Sequence, residues 1–139
     1  MKYQTQKIAL VYFSVAMALF AVQVSIGLIM GWIYVSPNFL ATVMPFNLLR
    51  MLHTNSLIVW LLLGFFGAAY YLLPEESERE IYSSKLAYLQ LAVLELATVG
   101  VVLTYTFDLF DGNFLLGKEG REFLEQPLWV KIGIAVAAV

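Results

Sequence analysis

LLRMLHTNSLIVWLLLGFFGAAYYLL, residues 48–73, decides the fold of this chain. Among these residues Arg50 alone carries a full charge, and it sits near one end. As a helix rising ~1.5 Å per residue the stretch spans ~39 Å, enough to cross a ~30 Å bilayer core with some tilt. Pro74 follows and reads as its stop. Glu75-Glu76-Ser77-Glu78-Arg79-Glu80 then reads as a compact, solvated, charged loop.

Working outward, Ile8 to Val35 is a second apolar run, interrupted only by Ser14, Gln23 and Ser25. Ser36-Pro37-Asn38 ends it. A short connection containing Pro45 and Asn47 leads into the quoted stretch. Leu86 to Phe107 is a third apolar run, and a polar stretch from Asp108 to Gln126 follows it. Pro127 suits a first helical turn and opens a fourth run that reaches Val139 after about three turns. The expected fold is therefore all-α and integral to a membrane. It comprises one membrane domain, 1–139, with helices at about 8–35, 48–73, 86–107 and a truncated 127–139. A spanning helix needs about 20 residues and an interfacial anchor, so the chain reads as the N-terminal piece of a larger polytopic protein.

Composition agrees. Apolar types make up 61 % of the 139 residues and charged types 13 %, with a mean hydropathy of +0.80. Soluble domains carry about 25 % charged residues. The net charge of −2 gives no basic footprint for nucleic acid. Without cysteine there are no disulfides, Cys-ligated zinc or iron–sulfur clusters. The basic start, Met1 to Lys7, precedes an apolar run too long for a signal-peptide core, so it reads as a retained first spanning helix. Charge does not orient the bundle. Lys2, Lys7, Arg79 and Lys85 fall on one side, and Arg50, Lys118, Arg121 and Lys131 on the other.

The one histidine, His53, lies about one and a half turns into the quoted stretch. An ionisable group there is costly and turns towards a partner inside the bundle. Two readings stand. One makes His53 an axial ligand of haem iron, which neutral imidazole suits, with Arg50 one turn away and able to pair with a propionate. The other makes it an interfacial residue hydrogen-bonded across helices. Thr54 and Asn55 add polar groups on adjacent faces. Gly64 and Gly67, followed by Ala68 and Ala69, read as ordinary close packing of membrane helices. Trp60, Phe65, Phe66, Tyr70 and Tyr71 read as packing or interfacial-belt residues.

Two further carboxylate features stand out. Glu122 and Glu125, if helical, share one face, where they need a cation, a proton or a basic group between them. Hard oxygen ligands suit calcium, and carboxylates also pass protons; a solvated amphipathic loop helix is the plainer reading. Glu95, ten residues into the third run, reads as a protonated acid bonded to another helix, with a proton route as the other reading.

Three strings carry a family resemblance: Pro45-Phe46-Asn47 with Arg50-Met51-Leu52-His53-Thr54-Asn55; Ile58-Val59-Trp60 through Gly67-Ala68-Ala69-Tyr70-Tyr71-Leu72 and Pro74-Glu75-Glu76-Ser77; and Gly120-Arg121-Glu122-Phe123-Leu124-Glu125-Gln126-Pro127. Together they resemble the large subunit of bacterial cytochrome c-dependent nitric oxide reductase, in the haem-copper oxidase superfamily. The resemblance implies a twelve-helix bundle with low-spin haem b, high-spin haem b3, a non-haem iron and calcium. It implies reduction of two NO to N₂O and water, with electrons delivered through a cytochrome c subunit. By position His53 is similar to an axial ligand of low-spin haem b, and Arg50 to a basic residue near the propionates. Glu122 is similar to a calcium-ligating glutamate, and Glu125 to a second glutamate near that site or in proton transfer. The implied location is the bacterial inner (cytoplasmic) membrane, multi-pass among lipid, with a cytoplasmic N-terminus and His53 and Glu122 towards the periplasm. The family's other metal ligands match nothing in this chain, so these residues alone are expected to catalyse nothing. The resemblance gives no role to Glu95 or to 108–119.

Two alternatives remain open. One is a subunit I of an oxygen-reducing haem-copper oxidase, which copper ligands and a Tyr-linked His would mark. The other is a haem-free transport or assembly protein, which the lack of a Soret band would mark.

Overall fold

The computed structural model describes residues 3–40, 43–107, 131–133 and 135–136. Three helices account for most of them: α1 (Thr5–Val35), α2 (Phe46–Ser77) and α3 (Ser84–Thr106). Each is long and apolar enough to cross a membrane. In lipid the backbone must satisfy its own hydrogen bonds, and a helix does so within one segment. Large apolar side chains such as Leu28, Phe65 and Leu96 are exposed around the outside of the bundle, where a bilayer covers them. Residues 131–133 and 135–136 are also helical, and Gly133 lies against Ala97 of α3. The protein is thus an all-α, multi-pass membrane protein.

The expected end of the second helix is corrected. Pro74 does not close α2; it lies inside the helix, which runs on to Ser77. Proline removes one i→i−4 bond and does not forbid helical dihedrals in the residues after it. One more turn forms, and the Ser77 hydroxyl donates to the Leu73 carbonyl at 2.6 Å. Glu78, in the left-handed region at φ 52°, ends the helix. Glu75 and Glu76, assigned above to a loop, are therefore helical. At the other ends, α1 starts at Thr5, α2 at Phe46 and α3 at Ser84, two or three residues earlier than hydropathy alone suggests.

Helices α1 and α2 form an antiparallel hairpin in constant register. Tyr12 meets Phe66 and Tyr70, Phe20 meets Trp60 edge-on at 5.1 Å, and Tyr34 meets Phe46 at 5.6 Å. Gly67 lets the Phe13 ring approach the α2 backbone, whereas Gly64 has no such neighbour among the described residues. Helix α3 closes the main core of Ile8, Tyr12, Ala16, Leu63, Ala87, Leu91 and Leu94. Buried Tyr12 ties it polar-wise, donating to the Ala87 carbonyl at 2.7 Å and lying 3.0 Å from Gln90 Oε1. The Tyr70 hydroxyl reaches the same Gln90 oxygen at 2.8 Å.

One end of the hairpin is clasped by carboxylates. Glu80 Oε1 accepts from the Gln4 amide at 2.5 Å. Its Oε2 accepts from the Thr5 amide at 3.0 Å and also from the Thr5 hydroxyl. Gln6 Nε2 donates to Glu75 Oε1 at 2.8 Å. The Gln4 and Thr5 amides are orphan donors of the α1 N-terminus, satisfied by an anion from the α2–α3 connection rather than by a local cap. The Thr5 hydroxyl bond and the two amides hold the Glu80 carboxyl below its ordinary value of 4.5, against a smaller opposing effect of desolvation.

Candidate functional site

The hairpin register sets His53, two turns into α2, opposite Gln23 in the middle of α1. His53 Nδ1 lies 3.0 Å from the backbone carbonyl of Gln23. His53 Nε2 lies 3.0 Å from the side-chain Nε2 of Gln23. A carbonyl only accepts, so Nδ1 carries the proton and Nε2 presents its lone pair. The Gln23 amide then donates to that lone pair. Trp60 Nε1 donates to Gln23 Oε1 at 3.2 Å, which fixes which end of the amide faces the ring. Each of the three bonds requires the same assignment of donors and acceptors.

Backbone geometry makes the approach possible. In a helix the Gln23 carbonyl already accepts from the amide four residues on, that of Gly27, and its second lone pair takes the imidazole. A methyl group at the Gly27 Cα would stand 3.0 Å from His53 Cε1. The ring therefore lies against bare α1 backbone. Gln23 is buried and His53 half-buried.

Chemically, this is a neutral imidazole of defined tautomer. An Nδ1–H bond to a backbone carbonyl orients a histidine and leaves Nε2 as its ligating atom. That nitrogen has one lone pair, so a hydrogen bond from Gln23 and a bond to a metal are alternatives. No group of three or more His, Asp or Glu side chains gathers into a metal site among the described residues.

The other candidates disperse. Arg50, one turn before His53 on α2, is exposed. Asn55 turns its amide back to the Met51 carbonyl of its own helix at 2.8 Å. Trp60, expected only to pack, both meets Phe20 edge-on and belongs to the His53 network. Glu95 is half-buried on α3, and its Oε1 is buried with no hydrogen-bond partner among the described residues. Glu122 and Glu125 lie outside the described residues. Sequence reasoning missed Gln23 and Gly27. Gln23 entered only as a polar interruption. The signal was an amide deep in an apolar run, which in lipid needs a partner, with a glycine one turn on along the same face.

Comparison with known proteins narrows the field. Residues 7–139 match the family described as Cytochrome C and Quinol oxidase polypeptide I. The chain is 51 % identical over 145 aligned positions to a nitric oxide reductase subunit of Stutzerimonas stutzeri. That alignment covers 100 % of this chain and 31 % of the relative, so the chain spans about a third of the relative's length.

Proposed function

This chain belongs to the cytochrome c and quinol oxidase polypeptide I family, and on that premise we propose that it serves in the large subunit of a respiratory nitric oxide reductase, with His53 as an axial ligand of low-spin haem b. The observation that carries the reading is the His53 geometry. An imidazole inside a spanning hairpin, bonded through Nδ1 to a helix carbonyl, has Nε2 as its only ligating nitrogen. The residues fit a haem in two further respects. The tautomer is set by a backbone carbonyl of α1, and glycine at 27 gives the ring room to lie against that helix, while the Gln23 amide on Nε2 has to move for a metal to bind. When bound, the haem supplies one-electron transfer. The chain's own residues hold and orient its iron ligand, and the apolar bundle around them keeps water away.

The relative, a nitric oxide reductase subunit, supports NO as the substrate. Two NO, two electrons and two protons give N₂O and water. Haem b3 and the non-haem iron would be held by residues that this chain does not contain. We assign Arg50 to a haem propionate, Glu122 to a calcium ion, and Glu125 to the calcium surroundings or to proton transfer. The electron-delivering partner is a cytochrome c subunit and the location the bacterial inner membrane.

The test is His53→Ala in the longer protein. The reduced-minus-oxidised spectrum is expected to lose its low-spin haem b component. An unchanged low-spin component would remove the assignment.

A further inference from the structure

We propose that Gln23 is a built-in competitor for the haem-binding nitrogen of His53, holding it in ligating form and yielding it when iron arrives. The inference rests on His53 being the haem ligand, as proposed above, and deepens that reading.

Gln23 meets the imidazole twice, and its two contacts have opposite consequences for a metal. The backbone carbonyl takes the Nδ1 proton at 3.0 Å, which commits Nε2 to the deprotonated, ligating form. The side-chain amide donates to Nε2 at 3.0 Å and uses the lone pair that iron needs. Iron and the amide cannot both hold it. The carbonyl belongs to the helix and stays. The amide hangs on a side chain with rotatable bonds and can leave.

Trp60 sets how readily it leaves. By donating to Oε1 at 3.2 Å it turns the Nε2 end of the amide towards His53. Without the indole N–H, the amide is free to flip or swing away from the ring. An intramembrane imidazole with an unpaired lone pair would carry a desolvation cost, and the Gln23 amide removes it. The same bond makes the site selective. Any metal bound there would have to displace the Gln23 hydrogen bond, which disfavours weak Lewis acids. Gln23 is thus a positioning residue through its carbonyl and a reversible cover through its side chain.

Substitution separates the two functions, because any residue at 23 keeps the carbonyl. Gln23→Leu removes the cover, and with it the acceptor of the Trp60 N–H, but leaves the carbonyl in place. The longer protein, depleted of haem and held in lipid nanodiscs, is titrated with hemin and followed by the low-spin Soret band. Gln23→Leu is expected to bind hemin about fivefold more tightly, the worth of one net neutral hydrogen bond. Trp60→Phe, which loosens the amide without removing it, is expected to fall between wild type and Gln23→Leu. Nitrogen-15 chemical shifts of the single histidine in the 139-residue chain are expected to keep Nδ1 protonated in all three. Unchanged or weaker hemin binding by both variants, with His53→Ala still abolishing the low-spin band, would overturn the competitor role alone. Retention of that band in His53→Ala would overturn the ligand assignment, and this inference with it.

Discussion

Gly27 of α1 lies flat against the ring of His53 of α2: a methyl group at the Gly27 Cα would stand 3.0 Å from Cε1 and 3.4 Å from Nδ1. The ring cannot retreat without lengthening its bond to the Gln23 carbonyl, now 3.0 Å. The closeness of the helices and the tautomer of the imidazole are therefore one structural fact. In membranes, where apolar contact alone gives helices little reason to associate, small residues at the interface let backbones approach and polar groups bond across. Here one residue does the first and another, four positions earlier on the same helix, the second.

Gly27→Ala is accordingly expected to act on both. The added methyl has to push the imidazole or part the helices, at a cost of about 1–3 kcal/mol, as for overpacking elsewhere. In the longer protein the low-spin haem b spectrum is expected to broaden or to fall in occupancy. Gly31→Ala, at a position with no neighbour within 4 Å, is the control and is expected to leave it unchanged. Equal behaviour of the two variants would show that the Gly27 contact does not govern the ring.

The three helices were legible because lipid imposes a length and an apolar composition on any span, and both are read directly from 8–35, 48–73 and 86–107. Their pairing was not. The lipid-facing surface is as apolar as the helix–helix interface, so no hydrophobic stripe marks which face of α1 meets α2. Polar residues carry that information, and Gln23, Tyr12 and Gln90 each find a partner on another helix. His53 stood out as a candidate from its chemistry alone. Its partner did not, because a single glutamine in a spanning run looks like tolerated polarity until the register is known. Pro74 misled for a local reason: a proline loses only the bond its own N–H would make, and the residues after it stay free to continue the helix. Glu80 was read as solvated charge, and nothing in its neighbourhood of sequence foretells that it caps a helix beginning 75 residues earlier.

That distant cap makes the bundle sensitive to acid. Glu80 accepts from the Thr5 hydroxyl and from the amides of Gln4 and Thr5, and these bonds lower its carboxyl below 4.5. A group with a depressed folded value contributes stability that is complete above its unfolded value and is lost as pH falls through the folded one. The unfolding temperature of the chain in nanodiscs is thus expected to hold steady from neutral pH to about pH 5 and to decline below that. Glu80→Gln keeps the shape but removes the charge. Its unfolding temperature is expected to lie below wild type at pH 7 and to converge with it in acid. Parallel pH profiles for the two proteins would show that the clasp does not depend on ionised Glu80.

The calcium assignment stands on different ground, since Glu122 and Glu125 lie outside the described residues and the reading comes from sequence resemblance. Calcium takes six to eight oxygen ligands, and its affinity follows the number of charged ones. Removing a directly coordinating carboxylate is expected to weaken binding by about tenfold or more. A carboxylate that only borders the site acts through charge, and its loss is screened by intervening solvent and ions. Glu122→Gln in the longer protein is therefore expected to lose calcium on dialysis against a weak chelator. Glu125→Gln is expected to retain it under the same conditions while NO turnover slows. Metal content per haem, measured by elemental analysis after dialysis, separates the two. Full calcium retention by Glu122→Gln would remove that residue from the coordination sphere, and loss in both variants would make Glu125 a ligand as well.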